Sequence, residues 1–169
     1  TVLIDVGNDS HVDEVLEAVE RHRGARQIDW VLLTHYHGDH TGGNENLGKG
    51  GALIFSHDNV RDRLALGSFI AEFGMKREAV SKEGLPVVTF SENISYHLNG
   101  DQVKAMYTPA AHTDGDCFVL FQKANVIHAG DLFFNGFYPF VDVTHGGSLK
   151  GMIAGVDRIL AISDEITKI

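Results

Sequence analysis

The chain has 169 residues, 43% of them hydrophobic, and a formal net charge of −9 at pH 7. This length and composition predict one domain over residues 1–169, and no apolar run approaches the ~20 residues that cross a bilayer, so no membrane partner is expected. The negative charge argues against a nucleic-acid partner, and the single Cys117 cannot form an intrachain disulfide and reads as a small core residue.

Helices and strands alternate along the chain. Residues 9–23 carry Val12, Val15, Leu16 and Val19 at helical spacing, with Ser10 as the expected cap and Gly24 as the stop. Arg21, Arg23 and Arg26 lie where cations complement a helix C-terminus. Residues 28–33 form an apolar run that reads as a buried strand. A helical turn over 44–47, a strand over 52–55 and a helix over 59–66 come next, with His57 placed to cap the last. Residues 68–84 mix polar and apolar side chains without a clear period. Strands are expected at 87–90, 94–98, 103–107, 118–121 and 126–128, separated by Gly, Asn or Pro. Residues 148–163 read as a helix with Leu149, Met152, Ile153, Val156, Ile159 and Leu160 on one stripe, and 165–169 as the start of a further strand. This mixture fits an α/β protein with two sheets and helices outside them.

The chemistry concentrates where the strand over 28–33 ends. His35, His37, Asp39 and His40 put three imidazoles and one carboxylate into six positions, a donor set suited to a borderline cation such as Zn²⁺. Gly38, Gly42 and Gly43 break the chain around them, so the cluster lies on a loop that a strand can aim. In an extended segment His35 and His37 share a face, and after Gly38 the pair Asp39 and His40 can face a second point, which suits two adjacent ions. His112, in the turn 108–116, and Asp131, in Gly130-Asp131, come after two further apolar runs.

The ordered set of His-x-His-x-Asp-His, a later lone His in a turn, and a Gly-Asp closing a strand resembles the metallo-β-lactamase fold superfamily of metallohydrolases. Leu3-Ile4-Asp5-Val6-Gly7 is similar to that family's opening motif of two apolar residues followed by Asp-Thr-Gly. The resemblance implies an αβ/βα four-layer sandwich, two mixed sheets between outer helices, with a metal site at one edge. It implies that His35, His37 and His112 hold one ion, that Asp39, His40 and a last histidine hold a second, and that Asp131 bridges them. No histidine comes after His145, so the opening hairpin and the final strand with the last ligand are expected to be missing from this chain. His145 could stand in for that ligand, although a loop histidine before a helix is the preferred reading.

The same resemblance shapes the expected chemistry. Zn²⁺ suits the nitrogen-rich site best, with Fe or Mn open. Oxygen-reducing relatives carry Glu at the place of His37, so hydrolysis is expected. Many lactamases carry Cys where Asp131 stands, which points toward thioesterases of the glyoxalase II type, lactonases and general hydrolases, with β-lactam cleavage still open. The expectation is therefore a dinuclear zinc hydrolase of a small-molecule ester, thioester, lactone or amide, in which metal-bound hydroxide attacks a carbonyl. Asp39 would orient the hydroxide and pass on its proton, and Asp5 would brace the ligand loop. The alternative is a non-catalytic metal-binding or interaction domain with an incomplete second site. A phosphodiesterase would need basic groups at the site, and none is apparent. One of Asp114 and Asp116 is expected to orient His112, and His128 to support Asp131. His11, His22 and His97 read as surface residues. Pocket walls are expected from 68–84 and from the aromatic run 133–140.

Overall fold

A computed structural model describes residues 1–23 and 27–169. The chain divides into two compact units: Thr1–Phe69 with Lys76–Thr89, and Ile70–Met75 with Phe90–Ile169.

The first unit is built on a sheet of order β1-β2-β3-β6, from strands β1 (Val2–Ile4), β2 (Trp30–Leu32), β3 (Leu53–His57) and β6 (Val88–Phe90). β1, β2 and β3 run parallel, with Ile4 beside Leu32 and Leu32 beside Phe55. Parallel strands are buried on both faces, and Val31, Leu33 and Ile54 accordingly pack with Val6, Tyr36, Val60 and Leu64 in one core. The parallel register also brings the carboxyl ends of β1 and β2 side by side, so the residues just beyond each strand meet.

Helices α1 (Val12–Arg23), α2 (Gly38–Thr41), α3 (Asn44–Lys49) and α4 (Asp58–Leu66) belong to this unit. A 3-10 turn, Asp9–His11, precedes α1, and the side chain of Asn8 accepts from Ser10 N, so Asn8 is the cap in place of Ser10. Asn8 wins because the 3-10 turn starts at Asp9, two residues earlier than a cap at Ser10 implies. Gly24 and Arg26, read as a stop and a terminal cation, lie outside the described residues. His57 caps α4 by accepting from Asn59 N at 3.2 Å. β4 (Ser68–Ile70) and β5 (Met75–Arg77) form a short two-stranded ribbon within the stretch that showed no period.

The second unit holds an antiparallel sheet of order β10-β9-β8-β7. Its strands are β7 (Asn93–Leu98), β8 (Asp101–Tyr107), β9 (Cys117–Phe121) and β10 (Val126–His128), and helix α5 (Leu149–Ile162) comes after them. A parallel bridge between Val126 and Lys168 lies on the β10 edge of this sheet. Ser148 caps α5 by accepting from Gly151 N. Met152 and Ile159 pack with Phe118, Ile127 and Leu132 in this unit's core, while Leu149, Ile153, Val156 and Leu160 are exposed. The apolar stripe of α5 is therefore wider than the face it buries. Among the described residues, no helix is long and apolar enough to cross a membrane.

Candidate metal centre

In the first unit the donor loop grows directly out of β2. Asp5, the residue after β1, takes a left-handed backbone at φ 56°. That turn aims its carboxylate across the sheet. One oxygen accepts from Thr34 N at 2.8 Å, and the other accepts from Thr34 Oγ1 at 2.7 Å and faces His40 Nδ1 at 2.8 Å. The cost of a left-handed non-glycine is offset by these three bonds.

The same bonds settle which ring nitrogen carries the proton in two of the imidazoles. A carboxylate can only accept, so His40 Nδ1 carries a proton, and in the neutral ring Nε2 keeps a lone pair. Thr34 gives its hydroxyl hydrogen to Asp5, so its oxygen accepts from His35 Nδ1 at 3.1 Å. His35 Nε2 is then also a lone-pair nitrogen, and it lies 3.2 Å from His37 Nδ1. A hydrogen bond that holds the proton on one ring nitrogen and leaves the lone pair on the other is what orients a metal-binding histidine.

α2 carries Asp39 and His40 on a single turn. The His37 carbonyl accepts from both His40 N and Thr41 N at 3.1 Å. Val6 N donates to His40 O, and Gly42 N to Gly7 O, which ties the turn back to the end of β1. His40 Nε2 lies 3.5 Å from the exposed Asp39 carboxylate. The His40 ring beside it is the main reason that the Asp39 carboxyl is lowered to about 2, with burial opposing it. Asp39 is thus ionised throughout the neutral range, as a ligand must be.

In the second unit His112 sits in a turn closed by Asp116. The buried Asp116 carboxylate accepts from Thr113 N at 2.8 Å and from Thr113 Oγ1 at 2.6 Å. Burial raises this carboxyl to about 7, against the lowering effect of its Thr113 bonds. The expected orienting carboxylate does not hold the ring through Nδ1. His112 Nδ1 donates instead to the Phe140 carbonyl at 2.8 Å, and Nε2 lies 3.5 Å from Asp131 Oδ2. Asp131 lies in a 3-10 turn, Gly130–Leu132, whose first N–H donates to His128 Nδ1 at 3.3 Å.

The first unit therefore collects His35, His37, Asp39, His40 and Asp5 at the carboxyl edge of its parallel strands, and the second brings together His112 and Asp131. His145 is buried against Asp142, with Nδ1 2.9 and 2.8 Å from the two carboxylate oxygens. Asp142 was invisible as a functional residue in the sequence. Its only signal is an Asp three residues before a histidine and two glycines, a pattern that also fits a plain turn cap. Of the expected pocket walls, residues 77–81 line a cavity of about 180 Å³ with Tyr36, Thr41 and Gly42. Phe133, Phe134 and Pro139 line another of about 310 Å³ against α5.

The sequence profile described as "Metallo-beta-lactamase superfamily" matches residues 1–166. The chain belongs to the metallo-β-lactamase superfamily. A similar curated relative is the lactamase-like protein nscB of Arthroderma gypseum, 30% identical over 105 residues, covering 62% of this chain and 27% of that protein. An atrochrysone carboxyl ACP thioesterase of Aspergillus terreus is 31% identical over 104 residues, covering 62% of this chain and 26% of that one. The chain thus spans roughly a quarter of the length of these relatives. Among solved structures, the BLEG-1 B3 metallo-β-lactamase superposes with a TM-score of 0.78 at 19% identity, covering 98% of this chain and 77% of that one. TTHA1623, solved in a di-iron-bound form, gives a TM-score of 0.71 at 24% identity, covering 97% and 77%. The mixed parallel and antiparallel α/β architecture of this superfamily member is that of these structures.

Proposed function

We propose that this chain is the metal-binding part of a metal-dependent hydrolase of a small ester, thioester, lactone or amide. The observation that carries the reading is the hydrogen bonding of His35, His40 and His112. In each ring Nδ1 is engaged by Thr34, Asp5 or Phe140, so the lone pair lies on Nε2. Histidines that only fill space have no reason to share that pattern three times. The donors fit divalent zinc, being neutral nitrogens with two carboxylates, and iron fits less well but remains within their chemistry.

His35, His37 and His112 would hold one ion, Asp39 and His40 would contribute to a second, and Asp131 would bridge. Bound divalent ions supply a carbonyl-polarising Lewis acid and lower the pKa of a coordinated water toward ~7. The protein's own part is positional. Asp5 and Thr34 hold two rings in one tautomer, and the ionised, exposed Asp39 carboxylate can take up a proton and hand it to a leaving group. Among the substrate classes, a thioester is favoured by the thioesterase among the relatives.

Zinc content by elemental analysis, and a screen against a nitrophenyl ester, a lactone, a glutathione thioester and a cephalosporin, test the proposal. Bound zinc and cleavage of at least one substrate are expected. Asp39→Asn should keep the fold and lower turnover by ~10²–10⁴-fold, the usual worth of acid–base help. A protein that binds no metal, or an Asp39→Asn variant with full turnover, would sink it.

A further inference from the structure

We infer that Asp142 and His145 are positioning residues for His112: a buried clasp that presents the Phe140 carbonyl to its imidazole. The inference rests on the reading of His112 as a metal donor. It also assigns His145 a role other than that of a ligand.

The Asp142 side chain is fully buried and that of His145 nearly so. A buried carboxylate is tolerated only when its charge and lone pairs are matched. His145 meets this need twice, since its Nδ1 faces both carboxylate oxygens and its backbone N–H donates to Oδ1 at 3.1 Å. The segment locked this way is stitched to both sides of His112. Asp142 N donates to His112 O, Ser148 N to Ala111 O and Asp114 N to His145 O, at 2.8, 2.8 and 3.0 Å. The approach is so close that a Cβ on Gly147 would come within 2.3 Å of the His112 carbonyl oxygen.

Phe140 stands two residues before Asp142, at the near end of this segment. Its carbonyl is what keeps the proton of His112 on Nδ1 and the lone pair on Nε2. The order of dependence is therefore His145, Asp142, the turn, the Phe140 carbonyl, and the His112 tautomer. Because His145 Nδ1 faces Asp142, an asparagine can replace it: its amide nitrogen falls where Nδ1 lies and still donates. Leucine fills similar space and donates nothing.

The test compares His145→Asn and His145→Leu with the wild type. In metal-free protein, long-range ¹H–¹⁵N spectra read the tautomer of His112. In a second arm, zinc alone is titrated in competition with a chromophoric chelator. Wild type and His145→Asn should show the Nδ1–H tautomer and zinc affinities within a few-fold of one another. His145→Leu should show a mixed tautomer and lose about 10–100-fold in affinity, as for other partners of metal-binding histidines. Equal loss in both variants would make His145 itself a ligand and overturn the clasp. So would an unchanged tautomer in His145→Leu. If the leucine variant does not fold, wild type and His145→Asn still decide: a tautomer or affinity lost in His145→Asn overturns the clasp. A wild type that binds no zinc defeats the hydrolase reading alone, and the tautomer comparison still judges the clasp.

Discussion

Asp5 shows how one side chain can serve stability and ligand chemistry at once, and its two roles separate by substitution. Asp5→Ala strands the buried N–H and hydroxyl of Thr34. At roughly 1–3 kcal/mol for each buried group left unsatisfied, the variant should lose about 2–6 kcal/mol in urea unfolding. Asp5→Asn tolerates the left-handed backbone and keeps an oxygen for Thr34 N. Its amide hydrogens would face His40, which moves the imidazole proton to Nε2 and removes a lone pair. Stability should fall less than in the alanine variant, while zinc affinity drops about 10–100-fold. Equal zinc affinity in Asp5→Asn and wild type would show that the tautomer does not matter. Asp116 couples to pH instead. Its carboxyl is raised to about 7 from an ordinary 3.8, first by burial. Between those values the unfolded chain has lost a proton that the folded chain keeps, so rising pH favours unfolding. The metal-free protein should therefore be most stable below pH 3.8 as far as this group is concerned, and lose that contribution as pH climbs through about 7. The slope is at most about 1.4 kcal/mol per pH unit. Asp116→Asn should flatten that part of the curve, and a curve identical to wild type would show that Asp116 does not titrate there.

At the scale of elements, α2 is too short to be stable alone, and its place depends on close backbone approach. A Cβ on Gly42 would lie 2.1 Å from the backbone nitrogen of Asp9, which cannot move without the end of β1. On Gly38 it would meet the guanidinium of Arg77, the far end of a flexible side chain. Gly42→Ala should cost about 3 kcal/mol or more, and Gly38→Ala within about 1 kcal/mol, since Arg77 can swing away and alanine favours the helix. Similar costs in thermal unfolding would mean that the loop tolerates movement at Asp9. Such approaches also explain what the sequence could and could not say. The long periods, in α1, α5 and the strands of the second unit, were legible because one face of each is buried. The ends were less so. Asn8 replaced Ser10 as a cap, and the β4–β5 ribbon went unseen, because three-residue strands show no period. The apolar stripe of α5 includes an exposed outer flank, since apolar character alone does not say which side is covered.

For the whole molecule, the candidate donors stood out because they are charged or imidazole side chains at strand ends, where an apolar run stops. The device that holds His112 was not. A backbone carbonyl leaves no mark in the sequence, and Phe140 is 28 residues from His112. The proposed ligand set assigns His35 and His112 to one ion. If they share it, His35→Ala already abolishes tight binding there, and adding His112→Ala removes little more. The loss in the double variant should fall short of the sum of the single losses by well over the ~0.5 kcal/mol that separates independent sites from coupled ones. Zinc affinities from chelator competition on the four proteins check this. Losses that add would mean that each histidine serves a separate ion, and the shared site, with the hydrolytic mechanism built on it, would have to be given up.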